Sequence, residues 1–260
     1  MKERSILVST PMVKVIMAGT KTVTRRIIAE SFNGCLTDGG PHPCPNPPIV
    51  FYPGEIYEDQ GATIVVDYPE VRAAFFCSTL DVEAKCRFGK PGDVLWVRET
   101  YYDYGYWFED GYTKTDKIKW RFQSVIPSPS DIRFFENPPE DVKPNSYRKL
   151  GWYKRLGRFM PYIRCRTKLK ITSITVEALH DITEEDAIRE GVEVIILDDD
   201  HLPNLGGKRV YNDYLDSDYF VSNAVDSFRT LWQAINGEDS WNANPWVWRI
   251  EFEKIKPTQQ

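Results

Sequence analysis

The chain has 260 residues, 42% hydrophobic, 27% charged and 13% aromatic, with a net charge of -5. That is a globular composition with enough length for a real core, in one large domain or two small ones. It offers no global field for a nucleic-acid partner and no apolar run near the ~18 residues of a membrane span, and its five cysteines do not read as a disulfide framework.

The opening MKERSILVSTPMVKVIMAG has a charged start. Ser9, Thr10, Pro11 and Lys14 break its apolar run, so it is not a secretory signal and a soluble, cytoplasmic protein is expected. Ser5 to Val8 read as a strand. Thr10 is a good N-cap, Pro11 suits the first helical position, and residues 12–18 make one or two helical turns. Gly19 suits the left-handed position past a helix end. The stretch AGTKTVTRRI then runs into a second strand, with Val23, Ile27 and Ile28 as its apolar residues.

Residues 30–90 read as an insertion, since NGCLTDGGPHPCPNPPIVFYPG is rich in glycine and proline and predicts loop. Cys35 and Cys44, and Cys77 and Cys86, are separated by eight-residue gaps, with His42 nearby. Structural zinc sites favour shorter C-x2-4-C spacing, so reduced cysteines packed in or beside the core are expected, with no metal and no cofactor. PGD at 91–93 is a turn before the β-branched and aromatic strand VLWVRETYYDY, and YTKTDKIKWRFQ continues the β pattern. A proline-rich connection follows over 127–146. RTKLKITSITVE alternates as a strand. DITEEDAIREGV is a short helix with Thr183 as N-cap, Asp186 as its reciprocal partner, acids in the first turn and Gly191 closing it. Residues 196–218 read as a polar acidic loop. Asn223 caps a last helix with Val225, Phe228, Leu231, Trp232 and Ile235 at helical spacing, stopping at Asn236-Gly237. WVWRIEFE is a terminal strand with Trp246, Trp248, Ile250 and Phe252 on one face. The sum is a single α+β domain, 1–260, with an insertion at about 30–90 and a small, partly closed β-barrel as the natural architecture for so many short strands.

Three features carry chemistry. Residues 146–170 hold nine Lys and Arg, among them Arg164 and Arg166, and no acid; Tyr147, Trp152, Tyr153, Phe159 and Tyr162 are interleaved. Such a segment suits single-stranded RNA, or it is a solvated loop with its aromatics tucked inward. Glu190 ends its helix where the backbone dipole disfavours negative charge, a placement that suits a proton donor; simple pairing with a nearby cation is the alternative. In the opening stretch, the guanidinium groups of Arg25 and Arg26 would lower the pKa of Lys21. A neutral Lys21 can activate the Thr24 hydroxyl as a nucleophile. On a regular strand Lys21 and Thr24 point to opposite faces, so they converge only if Lys21 lies in the turn after Gly19 or a bulge intervenes; otherwise the stretch is a polar strand start.

The stretches STPMVKVIMAGTKTVTRRII, GKPGDVLWVRETYY, ITEEDAIREGV, SFRTLWQAINGEDSWNANPWVW and IEFE, in that order, resemble the ASCH (ASC-1 homology) domain family. They are most similar to its long members from bacterial and phage genomes. The resemblance implies a PUA-like β-barrel with flanking short helices, and partners among modified nucleosides or single-stranded RNA. One small bacterial branch, much shorter than this chain, hydrolyses N4-acetylcytidine with a lysine, a threonine and a glutamate. Lys21, Thr24 and Arg26 match its K-T-x-T-x-R element, and Glu190 stands in the similar position at the end of a short helix. Arg25, Arg26, Arg98, Glu99, Arg164 and Arg166 are the candidates for holding substrate or RNA. The resemblance equally admits a non-catalytic RNA-binding module or a ribonuclease.

Overall fold

The computed structural model describes residues 1–28, 35–37, 40–42, 48–53, 55–59, 62–65, 70–77, 80–197 and 208–256. It is a mixed α+β fold, mostly strands in several sheets with three α-helices. Among the described residues no sheet closes into a barrel, and no helix is long and apolar enough to cross a membrane. The chain divides into two compact units: Met1–Arg4, Val15–Val94 and Leu169–Gln260 form the first, and Ser5–Lys14 with Leu95–Lys168 the second.

In the first unit the strand Trp246–Lys254 is central to an antiparallel run, paired on one side with Lys168–Ala178 and on the other with Val23–Ile27. The register sets two kinds of row. Ile250 lies between Ile174 and Thr24, and Trp248 between Val176 and Arg26. Arg249, pointing to the other face, lies between Thr175 and Arg25. Trp246, Trp248, Ile250 and Phe252 are all buried, as their alternation predicts, and so is Val247 between them.

Three helices are described: α1 (Thr10–Ala18), α2 (Glu184–Arg189) and α3 (Ala224–Asn236). Gly19, after α1, takes a left-handed φ of +84°. Thr183 caps α2 by accepting from the Asp186 N–H, and Asn223 caps α3 by accepting from the Asp226 N–H. The Glu184 carboxylate also accepts from the Ala224 and Val225 N–H groups, at 2.8 and 3.2 Å. The start of α2 therefore neutralises the positive end of α3.

The second unit is built on a four-stranded sheet in the order Ile118–Ser124, Tyr101–Tyr112, Gly151–Arg155, Val142–Lys143. The first two pairings are antiparallel and the last parallel. Tyr101, Ile132, Phe134 and Met160, with Ile126 against them, make a small core.

Several regions differ from the sequence expectation. The strand expected over 94–104 is two, Val94–Arg98 and Tyr101–Tyr112, interrupted at the buried Glu99. The supposed loop of 30–90 carries short strands: Arg72–Cys77 pairs with Leu80–Lys85 and with Ile49–Phe51, Ile56–Asp59 pairs with Ala62–Val65, and Cys35–Thr37 pairs with Gly40–His42. The strands there are only three to six residues long. Likewise Val194–Ile196, at the start of the expected acidic loop, pairs with Arg209–Asn212 inside it; residues 198–207 lie outside the described residues. Cys44 also lies outside them, while Cys86 is buried, and burial pushes its thiol up to about 11.

Because Asn223 is the side-chain cap of the longest helix, Asn223→Ala is expected to lower the unfolding free energy by about 1 kcal/mol, read from urea denaturation.

Candidate functional site

Local chemistry places Lys21. Past Gly19 the chain does not enter the strand at once: the N–H groups of Thr20 and Lys21 both donate to the Val15 carbonyl, at 3.0 and 3.1 Å. The strand begins only at Val23, so Lys21 stands in the turn, and the alternation of strand faces does not govern its side chain. The ammonium is instead buried and directed at the end of α2. Its Nζ donates to the Glu190 carboxylate (Oε2, 2.5 Å) and to the Glu190 carbonyl (2.6 Å). Lys21 and Glu190 are 5% and 3% exposed, so the pair is shielded from solvent.

Gly191 makes this approach possible. Its φ is +95°, and a Cβ there would stand 2.6 Å from Val15 Cγ2 and 3.3 Å from Lys21 Cβ. Any side chain would push the end of α2 off the lysine.

The pair sits in a larger ionic cluster. The Arg25 guanidinium is fully buried and meets three carboxylates: Glu177 at 2.6 Å, Asp186 at 2.8 Å and Glu190 at 3.3 Å. Arg249, its cross-strand partner, pairs with Asp186 at 2.8 Å and with Glu251. Arg189 reaches Glu251 at 3.4 Å. The ring of Phe228 on α3 lies 6.0 Å from the Arg25 guanidinium, giving the cation an aromatic neighbour besides its ion pairs.

Electrostatics follow from burial. Desolvation is the largest influence on Lys21 and lowers its pKa below 10.5; the charge of Glu190 works in the opposite direction, and Arg26 and Arg25 add smaller lowering contributions. The direction agrees with the sequence reading, but the leading cause is burial and not the neighbouring guanidinium groups. Arg26 is shifted downward, chiefly by burial, and feels the charges of Glu190 and Arg87. Asp186 is expected from sequence to complete the cap of α2; its carboxylate is taken by Arg25 and Arg249. Burial alone would raise the Asp186 pKa, but the hydrogen bonds from Arg249 and the charge of Arg25 outweigh it and hold the group below 3.8.

Thr24 is buried on the row of Ile250 and Ile174, and Arg26 shares its face of the strand. Among the described residues the Thr24 hydroxyl has no hydrogen-bond partner. The remaining candidates belong to the second unit. Glu99 is buried and receives a two-pronged contact from Arg166, at 2.9 and 2.8 Å; Arg166 also pairs with Glu136 at 2.9 Å and lies 3.8 Å from the Phe134 ring centroid. Arg164 pairs with the buried Asp103 at 2.8 Å. Arg98 donates to the Gly157 carbonyl at 3.2 Å. Arg164 and Arg166 are thus engaged inside their own unit, while Lys149, Lys154 and Arg158 of the same basic segment are exposed.

Sequence reasoning missed Glu177, Arg249 and Glu251. The one signal for the last two is the alternation of charged with apolar residues in WVWRIEFE, which puts Arg249 and Glu251 on a common face. Among the described residues no group of three or more His, Cys, Asp or Glu is arranged to hold a metal ion.

Comparison with known proteins leaves this geometry to speak for itself: no family model, curated protein or solved structure matches the chain.

Two outcomes follow from the cluster. Arg25→Met leaves three clustered carboxylates without their shared cation and is expected to cost about 3–5 kcal/mol of stability, measured by urea denaturation. The lowered pKa of Asp186 contributes stability that is present above pH 3.8 and is lost as pH falls through the depressed value. In Asp186→Asn the drop in denaturation midpoint between about pH 5 and about pH 2 is expected to be smaller than in the wild type.

Proposed function

We propose that the chain is an amidohydrolase acting on an acylated nucleobase, most concretely N4-acetylcytidine, at a site formed by Lys21, Thr24 and Glu190. The observation that carries this reading is the buried contact between Lys21 and Glu190, because burial lowers the lysine pKa toward a usable base and Thr24 lies three residues further along the same stretch. The motif order shared with the ASCH family supports it, and a PUA-like barrel is the finer fold that this resemblance implies. Modified nucleosides are released where RNA is turned over, so we place the protein in the cytoplasm.

The chemistry needs one proton held within the pair. With that proton on Glu190, neutral Lys21 takes the hydroxyl proton of Thr24 as its Oγ bonds to the acyl carbon. The carbonyl becomes an oxyanion, for which Arg26 or backbone N–H groups are the available donors. Collapse breaks the bond to the exocyclic nitrogen, which leaves with the proton of Glu190. Water then attacks the acyl-threonine ester, giving its proton to Glu190 while Lys21 returns the proton of Thr24. The products are the free amine and the carboxylic acid.

Purified protein incubated with N4-acetylcytidine is expected to release cytidine. Lys21→Ala and Thr24→Ala should each lose about 10²–10⁴-fold in kcat/KM, whereas Thr24→Ser should retain activity. Since the working pair holds one proton, activity should fall with pH along a limb centred below 10.5, where that proton is lost, and the limb should vanish in Lys21→Ala. A wild type no faster than Lys21→Ala overturns the reading.

A further inference from the structure

The four-stranded sheet of the second unit has two unlike faces. Register assigns Tyr101, Asp103, Trp107, Phe122, Tyr153 and Arg155 to one of them. That face is occupied by the protein itself: Arg155 lies 4.7 Å from the Trp107 ring and 4.3 Å from Phe122, and Arg148 lies 3.8 Å from Trp120. Tyr101 and Tyr153 are buried.

The opposite face carries a row of four aromatics from one strand, Tyr102, Tyr104, Tyr106 and Phe108, at the two-residue spacing that puts them on one side. Trp152 is the cross-strand partner of Tyr104, with ring centroids 5.3 Å apart. None of these five rings is fully buried, and Tyr106 is 39% exposed. Cations stand around the row. Lys154 is paired across from Tyr102, Arg121 from Phe108, and Arg133 bridges to Tyr102. The Arg133 guanidinium lies 5.2 Å from the Trp152 ring. Asp110 offsets part of this charge by pairing with Lys119 and Arg121 at 3.2 and 3.1 Å, yet the Arg121 side chain is still 61% exposed.

The same residues open onto a cavity of about 560 Å³. Tyr104, Trp152 and Arg133 line it with Asp131, Ser130 and Asn137. Its volume lies in the ordinary range for a small organic ligand, and its walls combine flat apolar rings with a few polar groups.

We propose that this face binds single-stranded nucleic acid, with one unpaired base seated in the cavity against Tyr104 and Trp152 and the next bases stacked along Tyr106 and Phe108. A row of rings on a sheet matches the flat faces of consecutive unpaired bases, and the flanking Lys and Arg match their phosphates. A duplex cannot use such a row, because its bases are already stacked on each other. The acidic net charge of the whole chain does not oppose this, since the cations are local to the face and screening limits distant charges. The proposal stands independently of the Lys21 site, and it does not depend on Arg164 or Arg166, which are engaged elsewhere.

The test is fluorescence anisotropy of end-labelled oligouridine and oligothymidine strands of about twelve nucleotides, titrated with the full chain at about 50 and about 200 mM salt. Binding that weakens with salt is expected. Tyr104→Ala, and the more exposed double variant Tyr106→Ala/Phe108→Ala, should each lose about tenfold or more in affinity with melting temperatures that confirm folding. Tyr104→Phe, which keeps the ring, should restore the affinity that Tyr104→Ala loses. Tighter binding of oligouridine assigns the face to RNA, and tighter binding of oligothymidine to DNA. No binding at the lower salt overturns the proposal, as does unchanged affinity in the folded Tyr106→Ala/Phe108→Ala variant. Equal affinity for inorganic polyphosphate overturns it too, because that ligand has charge but no bases.

Discussion

Everything distinctive in the first unit depends on one buried guanidinium. Arg25 has no side-chain exposure and touches Glu177, Asp186 and Glu190 together. A buried cation is tolerable only where acceptors surround it, and the acceptors are tolerable only because the cation is there. One of the three comes from the sheet and two from the short helix and its end, so this side chain ties α2 to the sheet, with Arg249 and Lys21 holding Asp186 and Glu190 beside it. The position of Glu190, and with it the environment of Lys21, follows from that placement. A guanidinium suits this task better than an ammonium, since its planar fork serves several carboxylates at once.

The local features of this arrangement are legible in the amino-acid sequence. Gly19 ends α1, Thr183 and Asn223 cap their helices, and Gly191 closes α2, each for a reason contained within a few residues. The partners of Arg25 are not legible, because they lie 152 to 165 residues along the chain and only the fold brings them near. Asp186 illustrates the competition. Its position suits a reciprocal cap, but two arginines at the same place form stronger, charge-assisted bonds with it. Arg164 and Arg166 mislead in the opposite way. In a stretch without acids they resemble a free basic surface, whereas the buried Asp103, on the strand Tyr101–Tyr112, and the buried Glu99, in the break before it, claim them. The short hairpins of 30–90 escaped notice because their apolar runs are too brief to show a period beside so much glycine and proline.

The two units use arginine in different ways. In the first, Arg25 and Arg249 present their N–H edges to carboxylates within a closed cluster. In the second, the Arg148 and Arg155 guanidinium groups stand over the rings of Trp120, Trp107 and Phe122. Edge contacts satisfy charge; face contacts cover apolar rings while leaving donors free at the rim. The first use gives fixed directions. The second covers the rings of the sheet face that the protein itself occupies and leaves the opposite row of Tyr102, Tyr104, Tyr106 and Phe108 to the other side.

Helix α2 is only six residues long, and both of its ends are engaged. Glu184 at its start holds the first N–H groups of α3, while Glu190 just past its end holds Lys21. The helix thus acts as a spacer of about 9 Å whose length and angular phase are both specified. One residue more or fewer would turn Glu190 by about 100° around the axis relative to Glu184, so that one end could be seated only by releasing the other. The segment joining them is therefore closed to insertions and deletions, although its exposed side chains remain free to vary.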